Sequence, residues 1–252
     1  MSEEQKQSKF PSEVIDLPSE GKLYSKDSPL SSGKLELKYM TAREEDILTS
    51  TNLIKKGIVV NKLLDSLILT EGVNSDDLVL GDKNAVMVAA RVLAYGPEYN
   101  CEVTLESGEK ITHTFDLTDC PFKKCPKEVT ENNFKFDLPV SKKKLTFKIL
   151  TGGEETQITN ELDIIRKKVR SSVSPELTTR LKRVITSVDG DDEQSTINLF
   201  VDNMLSRDSM ALRQKLADVS PDIDLEQEID VEGESVKVLI PMTVNFFWPK
   251  TN

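Results

Sequence analysis

A chain of 252 residues is long enough for one large domain or two modest ones around a buried core. A formal net charge of -10 opposes a phosphate backbone, which argues for protein partners and against nucleic acid. Apolar runs such as Ile58-Val59-Val60 and Ala85 to Leu93 fall short of the about 20 residues that a bilayer span needs, and three cysteines point to a reducing compartment and not a disulfide framework.

Residues 1–12 are polar and aperiodic and read as a disordered tail. Val14 to Tyr24 reads as a turn. Leu35, Leu37 and Tyr39 then alternate with Glu36 and Lys38, the period of a strand with one buried face. Thr41 and Glu44 have capping-box spacing, which predicts a helix from Ala42 to about Ser50. Beyond Gly57, Val60, Leu63, Leu64, Leu67 and Ile68 recur at helical spacing. Asp82 offers an N-cap for a third helix, Lys83 to Ala94, stopped by Gly96-Pro97. Its small residues Ala85, Ala89, Ala90 and Ala94 allow a close neighbour.

The period then changes to two. Val103 and Leu105 on one side of Ser107-Gly108, and Ile111, His113 and Phe115 on the other, predict a β-hairpin. A three-residue loop over 107–109 puts both apolar rows on one face, pairing Leu105 with Ile111 and Val103 with His113. Two further alternating runs, Phe134 to Leu138 and Leu145 to Ile149, flank a turn at Ser141 to Lys144. Helical spacing returns with Ile158, Leu162, Ile165 and Val169, and Ser174-Pro175 marks the start of a helix through Val188. Short helices near Ser195 to Leu205 and Ser209 to Ala217 precede three strand-like pieces, Ile223 to Val231, Val236 to Ile240 and Val244 to Trp248. The expected fold is α+β: a strand plus helices over 13–97, a central antiparallel region over 98–150, and helices with C-terminal antiparallel strands over 151–252.

Chemistry-bearing groups are sparse. The only histidine and all three cysteines, Cys101, His113, Cys120 and Cys125, fall within 25 residues, so two readings stand: a Cys3His structural zinc site, or core residues with incidental thiols. A metal-dependent enzyme would need that cluster. Gly152-Gly153 lacks the Lys-Ser/Thr ending of a phosphate loop, and Asp189-Gly190-Asp191-Asp192 has Thr196 where a calcium loop needs glutamate. No catalytic residue or bound cofactor is expected. Arg166, Lys167, Lys168 and Arg170 with Arg180, Lys182 and Arg183 form a basic cluster, either solvated helix faces or a docking patch. Three residues are candidates for partner contact: Arg43 and Glu45, which the cap leaves free, and Phe247, left over when Val244, Phe246 and Trp248 fill one strand face.

The order of short motifs resembles the T4-type contractile-phage baseplate hub proteins, a family of hub subunits and a hub assembly chaperone. The motifs are Leu17-Pro18-Ser19-Glu20-Gly21, Glu44 to Leu48, Leu53 to Gly57, and Gly81-Asp82 with Arg91, Tyr95 and Gly96. Later ones are Glu176 to Leu181, Ile185 to Gly190, Arg207-Asp208-Ser209, Pro221 to Asp224 and Phe246 to Pro249. The resemblance implies a non-catalytic role in building the baseplate hub, with hub and tape-measure proteins as partners and the host cytoplasm or the virion tail as location. Some relatives carry a Cys-x2-Cys knuckle in the hairpin region, from which this chain departs.

Overall fold

The computed structural model describes residues 11–105, 107–168, 174–231, 233–242 and 244–248. Residues 1–10 of the expected tail, together with Val169, Arg170 and Pro249, lie outside these. Ser12 does not belong to a tail: it opens strand β1 (Ser12–Asp16), which pairs antiparallel with β2 (Lys34–Lys38). Leu35 and Leu37 of β2 are buried, as the alternation requires. The connection between the two strands is tight. Gly21 has φ +78°, and a Cβ there would lie 2.3 Å from the Ser31 carbonyl oxygen, so the turn accepts only glycine.

Helix α1 (Ala42–Thr49) starts where the capping box predicts, with the Thr41 N–H and hydroxyl donating to the Glu44 carboxylate at 3.0 and 2.6 Å. A short α2 (Thr51–Lys55) leads to α3 (Val59–Leu67), which buries Leu63, Leu64 and Leu67. Helix α4 (Leu80–Tyr95) begins three residues before the predicted start, so Asp82 sits inside its first turn and is not the N-cap. Ala85, Val86, Val88, Ala90 and Arg91 are all buried, a spread wider than one stripe, and α4 is accordingly an interior helix.

Strands β3 (Glu98–Thr104) and β4 (Lys110–Asp116) form the predicted hairpin. The register differs from the expected one by two: Val103 faces Ile111, Cys101 faces His113 and Tyr99 faces Phe115. Leu105 N–H donates to the Glu109 carbonyl at 2.8 Å, so the loop closes one residue earlier than predicted. A shift of two preserves the faces, and Tyr99, Val103 and Phe115 are buried together.

After the two-residue β5 (Phe122–Lys123) come β6 (Phe134–Asp137) and β7 (Lys144–Phe147), whose Phe134 and Phe147 rings stack at 5.2 Å. Helix α5 (Gly152–Lys168) precedes α6 (Glu176–Val184). The helix predicted through Val188 ends at Val184, because the β-branched residues Ile185, Thr186 and Val188 form β8 (Ile185–Val188). That strand completes an antiparallel sheet in the order β6-β7-β8. Helices α7 (Gln194–Asp202) and α8 (Ser206–Val219) follow, then β9 (Asp222–Ile223), which pairs with β5, and the hairpin of β10 (Glu226–Val231) and β11 (Glu234–Leu239). The third predicted C-terminal strand is instead a 3-10 turn over Val244–Phe247.

Two apolar cores result. Leu37, Leu63, Val86 and Phe115 pack with Ile223, Ile229, Val238, Phe246 and Phe247 in the first. Phe134, Phe147, Ile158, Leu181, Ile197 and Leu212 pack in the second. The first core therefore draws on both flanks of the second. Helices and small antiparallel sheets contribute to each, and the fold is α+β.

Candidate functional site

Several of the short motifs converge on α4. Asp82 is 0 % exposed and collects three donors: Ser19 N–H at 2.8 Å, Ser19 hydroxyl at 2.6 Å and Tyr24 hydroxyl at 2.6 Å. Tyr24 in turn accepts the Val79 N–H at 3.0 Å. Burial pushes the Asp82 carboxyl above its usual range while the Ser19 and Tyr24 bonds pull it back, and burial beside Asp82 raises the Tyr24 phenol. The first motif is thus a loop fastened to a helix start. One residue earlier, Gly81 lets the Pro221 backbone pass against α4, and Asn84 secures the same contact by donating to Asp222 at 3.0 Å.

Arg91 performs the equivalent task at the other end of α4. It is 3 % exposed and donates to three carbonyls: Phe246 at 3.0 Å, Gly96 at 3.1 Å and Glu98 at 3.2 Å. Its guanidinium also lies 5.1 and 5.7 Å from the Tyr95 and Tyr99 ring centres. In the second core, Asp208 accepts the Val140 and Ser141 N–H groups at 2.8 and 3.0 Å, clamping the β6–β7 turn to α8. These polar motif residues are buried and committed to backbone groups and hydroxyls of their own chain. Their work is architectural.

Glu44 belongs to the same class. It is 0 % exposed and accepts from Lys38 and Ser66 as well as Thr41, each of the first two at 2.7 Å. Burial raises its carboxyl, but the Lys38, Thr41 and Ser66 bonds outweigh this and bring it from 4.5 to about 2. The unfolded chain then takes up the proton first, so this stabilisation is complete above pH 4.5 and is lost as pH falls through about 2. Urea unfolding across that window is expected to show the native chain losing up to about 3 kcal/mol more than Glu44→Gln. Parallel pH profiles for the two proteins would refute the role assigned to Glu44.

The residues singled out from sequence fare differently. Arg43 and Glu45 are exposed on α1, and Glu45 accepts a long 3.5 Å hydrogen bond from the Tyr95 hydroxyl. Phe247 is not at the surface: it is 1 % exposed, packed edge-on to Phe246 at 5.3 Å. The 3-10 turn rotates successive residues by about 120°, so the alternating faces of a strand do not apply there. Cys101 and His113 are direct cross-strand neighbours, and the His113 ring meets Phe115 edge-on at 4.7 Å. Cys120 lies in the first core and Cys125 in the second, so the four do not assemble into one ligand set. Among the described residues no three His, Cys, Asp or Glu side chains are placed to hold a metal ion.

The basic cluster is laced with carboxylates. Arg180 pairs with Glu155, Lys182 with Asp202 at 2.7 Å, Arg183 with Glu161 at 3.5 Å and Arg166 with Asp163 at 3.6 Å. Arg170 and the Lys168 side chain lie outside the described residues. Where α5, α6 and α7 meet, Glu161, Thr179, Lys182, Arg183, Gln194 and Asn198 line a surface groove of about 300 Å³. Sequence reading identified the two cations but not the groove, since Gln194 and Asn198 reach it from another helix.

No described helix is long and apolar enough to cross a membrane. No curated protein and no solved structure matches the chain. A family model described as T4 bacteriophage base plate protein matches residues 12–248, a span that runs from β1 through the buried C-terminal aromatics and takes in Ser19, Gly81, Asp82, Arg91, Asp208 and Pro221. With nearly every described element inside that match, the chain belongs to the T4 bacteriophage base plate protein family.

Proposed function

We propose that this baseplate protein is a non-catalytic, chaperone-like assembly factor that binds hub or tape-measure components in the host cytoplasm while the tail is built. The observation that supports this reading is how the family's polar motif residues are used. Asp82, Arg91 and Asp208 are spent on polar groups of their own chain, so the motif preserves a shape and not a reaction centre. The exposed apolar residues Val14, Ile164, Leu199, Met210 and Leu239 then supply surface for partners.

Quantitative mass spectrometry of purified virions tests the reading. An assembly factor is absent or far below the copy number of baseplate subunits, while its deletion abolishes tails. Stoichiometric retention would overturn it in favour of a structural hub subunit. The α1 surface is the proposed contact face, with Arg43 and Glu45 as its charged pair. Tail assembly at the native level with Glu45→Lys would count against that face.

A further inference from the structure

We infer that the outer edge of β10 takes up an extended segment of a partner protein, one in which basic and apolar residues alternate, as a third strand beside the β10–β11 hairpin. The assembly reading supplies only the biological role of this contact; its chemistry stands on the hairpin. The Ile240 N–H donates to the Leu225 carbonyl at 2.9 Å, Gln227 faces Val238 and Ile229 faces Val236. Backbone bonding alternates along an antiparallel pair, so Leu225, Gln227, Ile229 and Val231 bond to β11, and the N–H and carbonyl groups of Glu226, Glu228 and Asp230 point to the opposite edge. The Asp224 carboxylate takes the Glu226 N–H at 2.9 Å. The outward groups of Glu228 and Asp230 meet no backbone partner among the described residues, and the sheet has two strands. β11, by contrast, lies beside β3. An open row of donors and acceptors is a template for one more strand.

The side chains select the occupant. Glu226, Glu228, Asp230 and Glu234 are exposed on a hairpin whose one cation, Lys237, reaches Glu226 at 3.3 Å. No described cation pairs with Glu228, Asp230 or Glu234; Glu228 accepts the Ser235 hydroxyl at 3.4 Å and Asp230 the Gly233 N–H at 3.0 Å. These uncompensated carboxylates repel an acidic strand, a second copy of the same edge included, and favour a basic one. On the other face of β10, Ile229 is buried in the first core and Val231 is half-buried against it. An added strand therefore sets basic residues opposite Glu226, Glu228 and Asp230, and turns the apolar residues between them toward the rim of that core.

Fluorescence anisotropy with the full chain decides it. The probes are a labelled peptide alternating lysine and valine, its glutamate-for-lysine counterpart, and the lysine peptide methylated on its backbone nitrogens, which keeps the charge and removes the donors a strand needs. The methylated probe matters because a chain of net charge -10 attracts any cationic peptide. The expected result is saturable, salt-sensitive binding of the unmethylated lysine peptide, weakened about tenfold or more by methylation and by Glu228→Lys. Glu228→Pro deletes an N–H that the β11 pairing does not use and should weaken binding to a similar extent. Thermal unfolding of both variants confirms that they fold. Absence of saturable binding, a methylated peptide bound as tightly as its parent, or undiminished binding to Glu228→Lys would each overturn the assignment. None of these outcomes alters the virion measurement, so the two proposals fail separately.

Discussion

Alanine at position 81 is expected to destabilise the protein by about 3–4 kcal/mol in urea unfolding, a result opposite in sign to what helix propensity alone gives. Within a helix, glycine to alanine is favourable by about 1 kcal/mol. Gly81, however, is the second residue of α4, and a Cβ there would lie 1.9 Å from the Pro221 carbonyl oxygen, 2.6 Å from its carbon and 2.9 Å from Asp222 Cα. All three are backbone atoms, so no rotamer change relieves the clash. The 221–223 segment must move away, taking with it the Asn84–Asp222 hydrogen bond and the β5–β9 pairing. A midpoint equal to or above that of the native chain would show that α4 and β9 do not approach this closely.

Asp82→Ala should cost about 3–5 kcal/mol, because it strands a buried N–H and two hydroxyls together. Ser19→Ala removes one of the three donors, the hydroxyl, and leaves the carboxylate bonded to Tyr24 and the residue 19 backbone N–H, so about 1–2 kcal/mol is expected. The two changes should be strongly non-additive, since the second has little left to break once Asp82 is gone. A double-mutant cycle measured by chemical denaturation reads this directly. Additivity within about 0.5 kcal/mol would sink the network as a single unit.

Local patterns were legible where the physics is local. The Thr41–Glu44 box fixed the start of α1, and alternation located β2, the central hairpin and the β6–β7 pair. Three things were not. Leu105 bonds to Glu109 instead of Ile111, a choice of loop conformation that composition does not encode. Ile185 to Val188 continues the helical spacing of α6, and its β-branched residues form a strand by pairing with β7, a partner distant in sequence. Phe247 reads as exposed if Val244 to Trp248 alternates, and becomes core once Arg91 binds the Phe246 carbonyl and the segment turns. The groove between α5, α6 and α7 was legible as charge but not as shape: Arg183 was visible in sequence, while Asn198 joins it only through the packing of α6 on α7.

The arrangement of the two cores has a consequence for how the chain is made. Synthesis delivers most of the second core, Cys125 to Val219, between residues that serve the first, with only Leu23 and Val79 made earlier. Leu37, Val86 and Phe115 emerge early but wait for Ile223, Val238 and Phe246, and until then Arg91 faces one carbonyl too few. Closure of the first core is therefore a late, long-range event in folding, slow relative to the local helices. A ribosome that stops before Pro221 releases no shortened version of the fold. It releases one finished core joined to an open one, an aggregation-prone product from which the residues of β9 to β11 and the final turn are missing.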